Sequence, residues 1–121
     1  MAKIRIALAQ FDFPVGAIDA NADRILALTL EAKAAGANLI LFPESAISGY
    51  LAEDLFLRPS FIATCERELA RIAPLIQGID AVIGHPLAEG DSLFNALSFH
   101  QKRLSWQLTR RAPPVPGCRR A

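Results

Sequence analysis

Glu44 is the first side chain on which chemistry can be argued. It follows Leu39-Ile40-Leu41-Phe42-Pro43, a continuous apolar run that stops abruptly at a proline. Four apolar residues in a row read as a strand buried on both faces. Proline cannot continue the hydrogen-bond ladder, so the chain turns outward at that point. A carboxylate at the C-terminal end of a buried strand lies on the edge where open α/β sheets carry their sites. A carboxylate half-shielded from water at such an edge can have a raised pKa and act as a general base. The plainer alternative is a solvated loop glutamate.

The remaining polar candidates read more plainly. Cys65 lies on an apolar helical stripe and is expected to be a core thiol. His85 precedes Pro86 at a strand end and suits a turn or a packing role. Asn95 is expected to satisfy backbone groups rather than touch a substrate. Tyr50 either lines a pocket mouth or packs its loop. Cys65 and Cys118 make neither a CxxC nor a zinc-ligand spacing, which points to a reducing, cytoplasmic address. No GxGxxG or phosphate-loop pattern occurs, and no cofactor or metal is expected in this segment.

The elements that must position Glu44 are legible in order. Ile4–Gln10 reads as a first strand and Phe11–Gly16, with Pro14, as a loop. Asp19 is expected to cap a helix from about Ala20 to Ala35, with Ala22, Ile25, Thr29 and Ala32 on one face and Gly36 as its stop. Leu39–Phe42 form the second strand, and Ser45–Arg58 a long loop of the kind that often carries function. Pro59 opens a second helix with the stripe Phe61, Cys65, Leu69, Ile72 and Ile76, which Pro74 is expected to end near Ala73. Asp80–Gly84 reads as a third strand, His85-Pro86 as a turn, Glu89–Ser92 as a tight loop and Leu93–Phe99 as a fourth strand. The order β-α-β-α-β-β defines an α/β chain with at least one parallel pair.

Composition is that of a globular chain, with 52% hydrophobic and 21% charged residues in 121. No apolar run approaches the roughly 20 residues of a membrane span. The start, Met1-Ala2-Lys3-Ile4-Arg5, leads directly into a strand pattern and not into a secretory signal. The net charge of +1 conceals an asymmetry: residues 1–101 carry 7 Lys/Arg against 12 Asp/Glu, whereas residues 102–121 carry 6 Lys/Arg and no acid. That tail, with Lys102, Arg103, Arg110, Arg111, Arg119 and Arg120 among Pro113, Pro114 and Pro116, shows neither helical nor strand period. An irregular, solvated segment is expected. Two units follow, residues 1–101 and a basic tail of residues 102–121.

Several segments carry a resemblance. Ala7–Gln10, Asn21–Ile25, Gly36–Glu44 and Gly49-Tyr50 resemble the opening of the nitrilase, or carbon–nitrogen hydrolase, superfamily. Glu53–Phe61, Val82–Pro86 and Leu93–Ala96 narrow the likeness to the glutamine-hydrolysing domain of glutamine-dependent NAD synthetases. The resemblance spans residues 3–101 and implies a partial α-β-β-α sandwich. It implies amide hydrolysis by a Glu-Lys-Cys constellation, with glutamine as substrate and Glu44 at the general-base position. A thiolate would attack the amide carbon, the glutamate would take the thiol proton and later activate water, and the lysine would steady the oxyanion. ATP would be used by a separate synthetase domain. A homo-oligomer is implied, and neither nucleic acid nor membrane is expected as a partner.

The departures from that pattern bear on activity. The family's lysine, in a pattern like Lys-x-x-Leu-Pro-Asn-Tyr, should fall near Arg110 or Arg111, where this chain reads Thr109-Arg110-Arg111-Ala112-Pro113-Pro114. Arginine keeps the charge but not the geometry of an ammonium. Cys118, in Gly117-Cys118-Arg119-Arg120, lacks the strand-end context of the family's nucleophile. The chain is therefore expected to be an inactive, truncated or frame-shifted part of a glutaminase domain, with native-like sequence ending between His100 and Arg103. Two other readings stay open: part of a stand-alone carbon–nitrogen hydrolase acting on another amide, and a non-catalytic binding module.

Overall fold

The computed structural model describes residues 3–43, 45–49, 58–89, 92–100 and 107–114. Five strands form one sheet in the order β1-β2-β3-β4-β5. Strands β1 (Ile6–Leu8), β2 (Leu39–Leu41) and β3 (Asp80–Glu89) are parallel, whereas β4 (Ser92–His100) and β5 (Gln107–Pro114) continue antiparallel. Helix α1 (Ile18–Ala34) joins β1 to β2, and α2 (Pro59–Ile72) precedes β3. Consecutive parallel neighbours joined by right-handed crossovers place both helices on one face of the sheet. Among the described residues the result is one helix layer on one sheet, in keeping with the partial α-β-β-α sandwich expected.

The core lies between those layers. In register, Ala7, Ile40 and Ala81 stand side by side. Ile40 and Ala81 pack with Ile25 of α1 and with Phe61, Cys65 and Ile72 of α2. Alternation sends the next residues to the opposite face, where Ile6 and Leu8 are exposed. The stripe read from the sequence of α2 is the observed one: Phe61, Cys65, Leu69, Ile72 and Ile76 are all buried.

Helix ends follow local chemistry with one exception. Gly36, at φ +90°, stops α1, and the amides of Gly36 and Ala37 return to the carbonyls of Lys33 and Ala32. Pro59 occupies the first helical position of α2. Pro74 diverts the end of α2 into a short 3₁₀ turn, Ala73–Leu75. Asp19, however, is not the cap of α1. The N-cap is Ala17, and Asp19 lies inside the first turn, where its carboxylate accepts from the Ala20 amide at 2.8 Å. A carboxylate there still favours the positive end of the helix dipole, which is why it mimics a cap signal in sequence.

Two further expectations are corrected by the sheet. His85 and Pro86 do not turn the chain; they lie within β3, paired with Ala96 and Asn95 of β4. Strand β2 pairs only with Asp80–Val82, so among the described residues the other edge of β3 carries no ladder at Pro86. An edge that needs no donor tolerates proline. The tight loop expected next falls on Gly90 and Asp91, outside the described residues, between the paired Glu89 and Ser92.

The other correction concerns residues 107–114. They run as β5 against β4, with an irregularity between Phe94 and Ala96, where an irregular course is expected from sequence. An open β4 edge presents a row of unpaired backbone groups, and pairing there does not require an apolar period in the incoming segment.

A candidate active-site edge at the ends of β1 and β2

Glu44 itself lies outside the described residues, as do Tyr50, Lys102, Arg103, Cys118, Arg119 and Arg120. The backbone on both sides of Glu44 is described, and it is closely tied down. Before it, the Phe42 amide donates to the Val82 carbonyl at 3.1 Å, anchoring the end of β2 on β3. After it comes the turn Ser45–Gly49, in which Ser45, Ala46, Ile47 and Ser48 are buried. The Gly49 amide donates to the Ser45 carbonyl at 2.9 Å, and the Ser48 hydroxyl lies 3.3 Å from the same oxygen.

Ser45 is the one non-glycine residue with positive φ among the described residues, at φ 57°. A left-handed conformation costs an L-residue about 1–2 kcal/mol, and such positions persist only where the surroundings over-determine them. Here the surroundings are the loop after β1. The Gly16 amide donates to the Ser48 carbonyl at 3.1 Å. Asn21, on the buried face of α1, donates from its carboxamide nitrogen to the Pro14 carbonyl at 2.8 Å and to the Ile47 carbonyl at 3.2 Å. Gly49, at φ +83°, backs directly onto that loop: a Cβ there would stand 2.5 Å from the Val15 Cα and 2.7 Å from the Pro14 oxygen.

Aromatic packing completes the support. Phe13 of the first loop is buried and meets Phe42 edge-on, with ring centroids 6.2 Å apart. Phe11 stacks edge-on with Phe13 at 4.9 Å and carries the Arg24 guanidinium over its ring at 4.8 Å. The backbone at the C-terminal edge of β1 and β2, on both sides of position 44, is therefore preorganised.

The other sequence candidates do not join this edge. Cys65 is fully buried on α2, and burial, helped by Glu66, pushes its thiol up to about 12. A thiol in that state is neither nucleophile nor metal ligand near neutral pH. Expected, therefore, is that a folded sample resists iodoacetamide at pH 8 at Cys65 and is alkylated there only in denaturant. Peptide mapping of the labelled site checks this, and rapid labelling of Cys65 in the native state would contradict the burial argument.

His85 is buried in β3, and its Nδ1 lies 3.0 Å from the Pro86 carbonyl. Burial lowers its pKa, opposed by the contact with Pro86 and by Glu66. The folded state therefore disfavours the imidazolium. Stability supplied by neutral His85 is present above the ordinary histidine value of about 6.5 and is lost as pH falls below it. Thermal melts of wild type and His85→Phe are expected to converge in Tm between pH 7 and pH 5. A gap that widens toward pH 5 would reverse that sign.

Asn95 lies on β4 opposite Pro86, and Arg110 pairs in register with Ala96. Among the described residues no group of three or more His, Cys, Asp or Glu can hold a metal ion. No helix among them is long and apolar enough to cross a membrane. Sequence reading missed Asn21, Ser45 and Ser48 as a supporting set. The signal was present for Asn21, a polar residue on the buried stripe that continues through Ile25 and Thr29.

The parallel β-α-β-α-β core, with its tied loops beyond β1 and β2, is an open α/β scaffold of the kind that carries its sites at strand ends. Residues 5–106 match the carbon-nitrogen hydrolase family, and the chain belongs to it. It is 54% identical over 96 residues to a glutamine-dependent NAD(+) synthetase of Xanthomonas campestris pv. campestris, covering 78% of this chain and 17% of that protein. A glutamine-dependent NAD(+) synthetase of Aquifex aeolicus is 35% identical over 97 residues, with the same coverage of both. Among solved structures, the synthetase of Acinetobacter baumannii superposes with a TM-score of 0.83 at 29% identity, over 92% of this chain and 21% of that one. An amidase from Nesterenkonia sp. shares the fold, with a TM-score of 0.75 at 24% identity over 94% and 48%. The chain thus spans under a fifth of the length of the two curated synthetases it matches.

Proposed function

We propose that this chain supplies the general-base part of a domain that hydrolyses glutamine to glutamate and ammonia, as the N-terminal part of a glutamine-dependent NAD synthetase. The observation that carries the reading is the 54% identity to a protein of that name, in a chain whose Pro43-Glu44 step falls between a sheet-anchored strand and a tied turn. Glu44 would accept the proton of an attacking thiol and return it to the leaving amine. It would then activate the water that opens the thioester. Neither the thiol nor the oxyanion-stabilising lysine is assigned to this chain, because Cys65 is inert and Cys118 and the arginines of residues 102–121 lack the motif context.

Ammonia would pass to a separate ATP-using domain. Glutamine is the proposed substrate, the cytoplasm the proposed compartment, and a homo-oligomer the proposed assembly. The proposed division is residues 1–101 for the hydrolase part and 102–121 for the basic segment. If the second unit arises from a shifted frame, the encoding DNA carries Lys-x-x-Leu-Pro-Asn in another frame after codon 101.

The functional test is a hybrid in which residues 1–101 replace the matching segment of the Xanthomonas campestris relative. Ammonia release from glutamine is expected from the hybrid and not from the 121-residue chain alone. A folded hybrid that releases none would overturn the assignment, and turnover by the isolated chain would overturn its proposed inactivity.

A further inference from the structure

Two loops that are far apart in sequence are fastened to each other beside Glu44. The fastening has three parts: the Gly16 amide on the Ser48 carbonyl, the bare Cα of Gly49 against Val15, and the Asn21 carboxamide on both Pro14 and Ile47. Only the last uses a side chain. Asn21 is 1% exposed on a helix face otherwise made of Ile18, Ala22, Ile25 and Thr29. Packing alone would be served there by an apolar residue. A buried carboxamide is retained without penalty only when its donors are satisfied, and both of these donors go to loop carbonyls rather than to the helix.

What those two hydrogen bonds hold is a strained backbone. Ile47, the acceptor, is two residues beyond Ser45, whose left-handed φ of 57° sets the peptide plane that follows Glu44. Released from Asn21, the turn can relax Ser45 toward an ordinary conformation.

We propose that Asn21 is a positioning residue for Glu44, acting by pinning the Ser45–Gly49 turn that follows it to the loop after β1. The inference rests on the base role given to Glu44 above, and Asn21 itself touches no reacting atom.

The test uses the full 121-residue chain, without turnover. Wild type, Asn21→Leu and Asn21→Ser are compared by amide hydrogen exchange and by carbon-detected NMR titration of the Glu44 carboxyl. Exchange at Gly16 and Gly49 is expected to accelerate about tenfold or more while Thr29 inside α1 stays protected. The Glu44 midpoint is expected to move by about half a pH unit or more, with Asn21→Ser, which keeps one donor, moving less than Asn21→Leu. Faster exchange with an unmoved Glu44 midpoint overturns the proposal, leaving Asn21 as a loop tie only. Unchanged exchange overturns it outright, and loss of Thr29 protection in both variants replaces it with a general folding role. A hybrid enzyme that stays active as Glu44→Gln would sink the base role instead, and would leave the exchange and titration results standing.

Discussion

Glu44→Gln is expected to lower glutamine hydrolysis by the hybrid enzyme about 10³-fold in kcat/KM, or ~4 kcal/mol of transition-state stabilisation. The substitution keeps the shape and the hydrogen-bonding reach of the side chain and removes only its basicity. An unactivated thiol near pH 7 is a few per cent thiolate, so attack is slowed but not abolished. The water that opens the thioester loses its base as well, so acyl-enzyme should accumulate in the variant and be visible by intact mass. A loss below about fivefold would mean that Glu44 is not the proton acceptor.

The second large effect is structural. Gly49→Ala is expected to destabilise the chain by about 2–4 kcal/mol, combining a left-handed penalty with overpacking against an adjacent backbone. The methyl group would enter at 2.5 Å from the Val15 Cα, and a main-chain atom cannot move aside as a flexible side-chain tip can. For a domain of this size that predicts a fall in Tm of roughly 10 °C. Gly36→Ala is the comparison. Its φ is also positive, but its nearest neighbour is the mobile end of the Arg5 side chain at 2.9 Å, so the smaller loss should be the left-handed penalty alone. Equal losses at both positions would show that the loop contact at Gly49 adds nothing.

Much of the framework was legible because its signals are local. Pro59 at the start of α2, Gly36 at the end of α1 and the stripe from Phe61 to Ile76 each act within a few residues, and each holds in the structure. The misreadings fall where distant pairing decides. His85-Pro86 resembles a turn until β4 is set beside it, when the half-unpaired edge of β3 accommodates the proline. Gln107–Pro114 carries no strand period, yet it takes the backbone pairing that β4 offers.

The candidate site shows the same division. Glu44 stood out through an apolar run ending in proline, a signal contained in six residues. Its support did not, since Asn21 meets acceptors 7 and 26 positions away and a one-dimensional pattern has no term for that. Ser45 gave no sign at all, because serine is not a residue from which positive φ is inferred. The candidate base is proposed from sequence; the structure adds the ties of the turn that follows it.

The most direct test of the account is a crystal structure of the hybrid enzyme with glutamine bound. The account predicts the Glu44 carboxylate within hydrogen-bonding reach of the nucleophilic sulfur, with Ser45 still left-handed and Asn21 still bridging Pro14 and Ile47. A Glu44 side chain turned to solvent, away from the sulfur in the occupied site, would contradict it.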